Sequence, residues 1–285
     1  MTSERAAANS PIGVFDSGVG GLTILRGLLR ELPDERYVYF GDTGNCPYGV
    51  RTEEEIQALS VAAAEFLLER GAKIIVVACN TASVSALATL RATFDTPFVG
   101  VVPAVKPAAE RTRTKRVGVA STEASAKGGY LQRLIHDHAD GVEVLPVGCP
   151  RLVTIVEEGK LEGSEVEETV RGYIQPLLDR GIDILVLGCT HFPAIRPVFK
   201  RVAGPEVAVI DSGAAIARQT RRVLTERGWL ASERPALAAP RSLQVGDEFW
   251  HSGDQQQFER VASALMGEKV SANRAPVAVM APTHL

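Results

Sequence analysis

Hydrophobic residues fall along this chain in short unbroken runs, separated by longer stretches in which they recur every three or four positions. Unbroken runs suit strands buried on both faces, and the recurring spacing suits helices packed against them. The runs are Ile12–Phe15, Tyr37–Phe40, Ile74–Ala78, Pro97–Val101, Arg116–Ala120, Val142–Val147, Ile184–Gly188 and Val207–Ile210. Between them the spacing predicts helices opening at Leu22, over 53–70 with Ile56, Leu59, Ala63, Phe66 and Leu67 turned inward, and over 81–92. Further helices are predicted from Val102 to Arg113, over 128–138, 151–158 and 164–180, and from 212 to about 227. A strand over 243–250 and a helix over 255–266 complete the pattern, and 271–285 reads as a disordered terminus. Strand and helix alternate throughout, which predicts an α/β fold with parallel, doubly wound sheets.

The plan runs twice. Cys79 ends the run Ile74–Ala78 in VVACNTAS, and Cys189 ends the run Ile184–Gly188 in VLGCTHFP. Each cysteine is followed within two residues by a threonine and then by a helical pattern. Asp16-Ser17-Gly18 after the first strand is echoed by Asp211-Ser212-Gly213 after Val207–Ile210. The reading is two similar domains, 1–102 joined by 212–285 and 103–211, related by a pseudo-two-fold and facing each other across a central cleft.

Composition narrows the class. The 285 residues are 45% hydrophobic and 23% charged, enough apolar content to fold, and the net charge of −3 gives no case for nucleic acid. No apolar run reaches the ~18 residues of a membrane helix. The first ten residues lack the apolar core of a signal peptide and read as a flexible leader. The expectation is a soluble cytoplasmic protein whose four cysteines are free thiols. Neither CxxC pairs nor zinc-spaced histidines occur, so no metal site is expected. The glycine loop Asp16–Gly21 fits neither phosphate-binding pattern, and Asp16 would repel a phosphate. A carboxylate there is better suited to a proton relay or an ammonium, or simply to capping the following helix. The loop 41–49, Gly-Asp-Thr-Gly-Asn-Cys-Pro-Tyr-Gly, is the kind that carries function. In it Tyr48-Gly49 can offer a backbone amide beside an aromatic wall, and Cys46 has no assigned chemistry.

A thiol becomes a useful base when charge or hydrogen bonds favour its thiolate. His191 near Cys189, and Asp16 near Cys79 on the neighbouring strand end, are candidate proton partners. Two thiols on opposite sides of one carbon suit racemisation or epimerisation, one removing a proton and the other returning it. A Cys79–Cys189 disulfide switch, a Cys189–His191 nucleophilic pair and plain core cysteines are the competing readings.

FDSGVGGLT (15–23), GDTGNCPYG (41–49), VVACNTAS (76–83) and LVLGCTHFP (185–193) together resemble glutamate racemase, of the cofactor-independent aspartate/glutamate racemase superfamily, over about residues 11–265. The resemblance implies interconversion of L- and D-glutamate for peptidoglycan synthesis, without pyridoxal phosphate or metal. It implies Cys79 as the base for D-glutamate and Cys189 as the base for L-glutamate. Asp16 would assist Cys79, and His191 with Glu157 would assist Cys189, with Glu158 the neighbour open to confusion with Glu157. Substrate contacts would come from Asp16, Ser17, Tyr48, Gly49, Asn80, Thr81, Thr190 and His191, and Asp42 matches the acidic residue of the second strand-end loop. Dimers are common in the family, so a homodimer is an open expectation. Thr122 stands where the family has a threonine-rich stretch, but Ser125 replaces a second threonine and Gly128-Gly129-Tyr130 comes one residue early. An aspartate racemase, a gyrase-binding protein and a nucleotide-binding protein are the alternatives.

Overall fold

In the computed structural model every strand pairing is parallel. The structure describes residues 8–232, 243 and 246–278. In chain order the strands are β1 (Ile12–Asp16), β2 (Tyr37–Gly41), β3 (Ile74–Val77), β4 (Phe98–Gly100), β5 (Arg116–Ser121), β6 (Glu143–Gly148), β7 (Ile184–Leu187), β8 (Ala208–Ile210), β9 (Glu248–His251) and β10 (Asn273–Arg274). The chain divides into two units, Met1–Val101 with Gly213–Leu285, and Val102–Ser212.

The sheet of the first unit runs β10-β9-β2-β1-β3-β4, and that of the second β6-β5-β7-β8. In both, the unit's first strand lies inside the sheet, with its second strand on one side and its third on the other. The winding therefore reverses between β1 and β3 and between β5 and β7, the topological switch points at which strand ends open a crevice. Register makes the two frames correspond residue by residue. Phe15 pairs with Val77 and Ala120 with Leu187. One step on, Ala78 N–H donates to Phe15 O and Gly188 N–H to Ala120 O, each at 2.7 Å. Cys79 and Cys189 thus occupy equivalent positions beyond a switch-point strand. On the opposite flank Asp42 N–H donates to Asp16 O at 2.9 Å and Cys149 N–H to Ser121 O at 2.8 Å, so Asp42 and Cys149 are equivalent too.

Packing explains why these runs are strands. β1 and β3 are buried at every residue, side chains on both faces included. Each fully buried Val, Ile or Phe contributes about 1.5–3 kcal/mol of transfer free energy. Around the first sheet cluster Phe15, Phe40, Tyr48, Phe66 and Leu67, and around the second Val117, Val119, Leu131, Ile184 and Val186. The helix Glu53–Glu69 starts where Thr52 and Glu55 form a reciprocal capping box.

Several elements differ from the pattern reading. The helix expected over 81–92 is two, Asn80–Ser85 and Leu87–Thr93, broken at Ala86. The helix expected over 128–138 is preceded by a separate turn of helix, Glu123–Lys127, divided from Gly129–His138 by extended Gly128. The late strand is confined to Glu248–His251, shorter than 243–250, and 244–245 lie outside the described residues. Within the expected disordered terminus, Asn273 and Arg274 pair with Trp250 and His251, while 279–285 lie outside the described residues. Of the expected leader, 1–7 lie outside them as well, but Ala8 is held: its carbonyl accepts from Lys73 Nζ at 2.9 Å. That ammonium is buried, pairs with Glu35 at 2.6 Å and also donates to Trp229 O at 2.8 Å.

Candidate active site

At the end of β1, Asp16 is wholly buried, and its Oδ2 accepts from Gly18 N–H at 3.1 Å and Gly21 N–H at 3.0 Å. The glycine loop is therefore an anchor for a carboxylate of the protein itself. Only glycine fits at 21, since a Cβ there would lie 2.5 Å from Asp16 Cβ. Tyr39 donates its hydroxyl to Gly18 O at 2.7 Å and fixes the loop from below. Across the switch point, Cys79 caps the helix Asn80–Ser85. Its sulfur accepts from Ala82 N–H at 3.4 Å, and its thiol donates to Ser17 Oγ at 3.4 Å. Ser17, Asn80 and Thr81 are buried beside it.

The loop after β2 adds a third cluster to this unit. Asp42 accepts from Asn45 Nδ2 at 2.9 and 3.1 Å, from the Tyr48 hydroxyl at 2.6 Å and from Ser252 Oγ at 2.5 Å. Burial pushes the Asp42 carboxyl up, while these hydrogen bonds and Arg51 pull it down. Burial and the neighbouring Asp42 charge push the Tyr48 phenol well above its usual range. Gly49 is half-buried, and so is Cys46.

In the second unit Cys189 lies just beyond β7, 5% exposed. Its sulfur is 3.6 Å from His191 Nδ1, and His191 Nε2 is 2.6 Å from Glu157 Oε1. Glu157 is the last residue of the helix Pro150–Glu157. Glu158 instead faces Arg151 and Lys160 at 3.4 and 3.1 Å on the surface, so Glu157 is the carboxylate that the fold brings to the imidazole. Thr190, between them in sequence, is buried. Cys189 does not cap an α-helix as Cys79 does. The chain turns through a 3₁₀ helix, Phe192–Ile195, before the helix Arg196–Ala203. Thr122 and Ser125 hold each other, Oγ1 to Oγ at 2.9 Å. Cys149 is fully buried, and burial, with the Cys189 charge second, pushes its thiol up to about 12.

Each unit thus gathers one thiol, a titratable side chain and a set of N–H and O–H donors at its switch point. None of these residues supplies a lysine amine for a Schiff base. Sequence reasoning passed over Tyr39 and Ser252. The available signal was a Ser-Gly-Asp triplet, 252–254, following the aromatic run Phe249-Trp250-His251.

A repeated parallel α/β unit with a cysteine at each switch point is the build of an amino-acid racemase. The family model described as Asp/Glu/hydantoin racemase matches residues 12–220. A glutamate racemase of Herpetosiphon aurantiacus is 47% identical over 257 residues, spanning 90% of this chain and 98% of its own. Among solved structures, glutamate racemase isoform RacE1 of Bacillus anthracis superposes with a TM-score of 0.82 at 33% identity, covering 95% of this chain and 99% of that one. Escherichia coli glutamate racemase, in complex with L-glutamate and the activator UDP-MurNAc-ala, gives 0.78 at 34% identity, covering 90% and 96%. The chain belongs to the Asp/Glu/hydantoin racemase family and, within it, to the glutamate racemases.

Proposed function

We propose that this chain interconverts L- and D-glutamate by two-base proton transfer at the α-carbon, and supplies D-glutamate for peptidoglycan. The observation that carries the reading is the equivalence of Cys79 and Cys189, one thiol beyond the switch point of each unit. Cys189 as thiolate takes the α-proton of L-glutamate, and Cys79 as thiol delivers a proton to the opposite face; the reverse direction exchanges the roles. His191 Nδ1 relays the Cys189 proton, and Glu157 accepts from Nε2–H, which fixes the tautomer in which Nδ1 is the accepting nitrogen. Asp16 serves Cys79 from the adjacent strand end. Ser17, Asn80, Thr81, Thr190 and the 48–49 backbone supply donors for the substrate carboxylates, and those facing the α-carboxylate stabilise charge as the proton leaves. The chemistry calls for no pyridoxal phosphate and no metal, and its place in wall synthesis is cytoplasmic.

Two measurements test the reading. Purified chain without added cofactor is incubated with either enantiomer of glutamate or of aspartate, and circular dichroism follows the approach to the racemate. Glutamate should racemise in preference to aspartate. Cys79→Ser and Cys189→Ser should each lower the rate by about 10²–10⁴ while the protein stays folded, the range of a positioned acid or base. Full activity in either variant, or preference for aspartate, overturns the reading.

A further inference from the structure

Ser252 follows β9, far along the chain from every motif that marks the site, and it is 1% exposed. Its hydroxyl donates to Asp42 Oδ1 at 2.5 Å and accepts from Gly44 N–H at 2.9 Å. Next to it Gly253 N–H donates to Thr43 Oγ1 at 3.2 Å. A Cβ on Gly253 would fall 2.7 Å from that oxygen and 3.0 Å from Gly44 N, so the two segments lie backbone to backbone. The other carboxylate oxygen of Asp42 accepts the Tyr48 hydroxyl at 2.6 Å. Tyr48 is 1% exposed, its ring centred 6.1 Å from that of Phe15. Its phenol is thus committed to Asp42, and the group left for a ligand at 48–49 is the backbone.

We propose that Ser252 is a positioning residue of the racemase: through Asp42 and Tyr48 it sets the 48–49 backbone amides where they receive a substrate carboxylate. The proposal rests on the glutamate racemase reading above. A chain of two short hydrogen bonds, Ser252–Asp42–Tyr48, makes the loop conformation depend on a hydroxyl that never meets substrate. Because loop amides hold the substrate alike before and during proton transfer, their misplacement weakens binding and leaves the chemical step alone. Enantiomers have equal free energy, so kcat/KM must fall equally in both directions.

The charge state of Asp42 supplies a second readout. The groups facing it are Arg51 and Tyr48, and Tyr48 in turn faces Cys79 and Asp16. The Ser252 hydrogen bond favours the carboxylate, so its loss lets Asp42 protonate at higher pH, and a protonated carboxyl holds the phenol less well. The acid limb of 1/KM therefore moves to higher pH in Ser252→Ala.

Steady-state racemisation is measured for wild type, Ser252→Ala, Ser252→Thr, Tyr48→Phe and the Ser252→Ala/Tyr48→Phe double variant. Ser252→Ala should raise KM for both enantiomers about tenfold, the scale of one hydrogen bond to a charged group, with kcat within about twofold. Ser252→Thr, which keeps the hydroxyl, should restore KM. Tyr48→Phe should match Ser252→Ala, and the double variant should be no worse than either single one, because both break the same relay. An unchanged KM, a loss confined to kcat, no rescue by threonine or multiplying effects overturns the proposal. If Ser252→Ala does not fold, Ser252→Thr and Tyr48→Phe decide: wild-type KM in the first with raised KM in the second upholds it, and any other result refutes it. A wild-type chain that leaves glutamate unracemised overturns the parent reading, and the proposal with it.

Discussion

Replacing Glu157 with glutamine separates the charge of the His191 partner from its hydrogen bond. The Glu157 side chain is 15% exposed and that of His191 3%, and their 2.6 Å contact is the short kind typical of a charged acceptor. The glutamine carbonyl still accepts from Nε2–H, so the tautomer that lets Nδ1 take the Cys189 proton is kept. What goes is the carboxylate that steadies the imidazolium while His191 holds that proton. A hydrogen bond to a charged group is worth about 1.5–3 kcal/mol and a neutral one about 0.5–1.5, so the swap costs the proton-transfer step about 1–2 kcal/mol. That is a loss of about 5–30-fold in the rate of the step. On the proposed assignment of Cys189 to L-glutamate, the isotope effect on kcat/KM with α-deuterated L-glutamate should grow. With α-deuterated D-glutamate it should shrink, because the slow step has passed to the later proton delivery by Cys189. Growth with the D-enantiomer instead, or an equal loss in Glu158→Gln, would refute the assignment of Glu157 to the Cys189 half-reaction.

Further substitutions probe the frame. Gly21→Ala forces a methyl against Asp16 at 2.5 Å, and the resulting displacement should lower racemisation about 100-fold, against a Tm that a purely global effect would drag down with it. Lys73→Met strands the buried Glu35 carboxylate, an expected cost of about 3–5 kcal/mol that differential scanning calorimetry should read as a Tm lower by about 6–20 °C. Iodoacetamide at about pH 8 should label half-buried Cys46 and leave Cys149 intact, as peptide mass spectrometry would show, because that thiol is pushed up to about 12. Burial holds His251 below its ordinary 6.5, so between the two values the unfolded chain binds the extra proton. Stability should then fall as pH drops through about 6.5, and His251→Phe should flatten that part of a Tm–pH profile.

The strands were legible because β1, β3 and β7 are buried on both faces, which demands the unbroken runs that the pattern shows. The cysteines were legible because each closes such a run. Local breaks were not. Ala86 interrupts a continuous helical pattern because the preceding turn is pinned to the sheet: Ser83 donates to Val77 O at 3.0 Å and accepts from Val101 N–H at 2.9 Å. The 3₁₀ turn after Cys189 carries Pro193 in its first turn, where a missing N–H costs neither kind of helix a bond, so the residues there do not tell a 3₁₀ turn from an α-helical one. Glu157 and Glu158 differ by one step at a helix end, where periodicity decides nothing and only the direction of the side chain separates them. Asn273 and Arg274 are exposed and polar, so their strand is written in backbone pairing alone. Ser252 was hidden for a related reason: a hydroxyl buried by long-range contact looks in sequence like any turn serine.

The two units share a frame but place their charges differently within it. Where the first has Asp16 at the end of its first strand, the equivalent residue of the second is Ser121, and where the first has Asp42 the second has Cys149. The second unit is therefore without a carboxylate at either position where the first unit carries one. It carries its helper at the second residue after its own cysteine, His191, the position that Thr81 fills in the first unit, and backs it with Glu157 from the helix that follows β6. Register thus fixes where a thiol can stand, while the proton partner is chosen by whichever neighbouring segment brings a charge within reach. The two cysteines are thus matched in backbone and unmatched in electrostatics. Thermodynamics holds kcat/KM equal in the two directions, so this asymmetry must be expressed in kcat and KM separately. Ser121→Asp would add a carboxylate at the Asp16 position of the second unit, but residues 122–125 there present Thr122 as a helix cap instead of the paired glycine N–H donors that anchor Asp16. The added group would lack its anchor, and it should not replace His191.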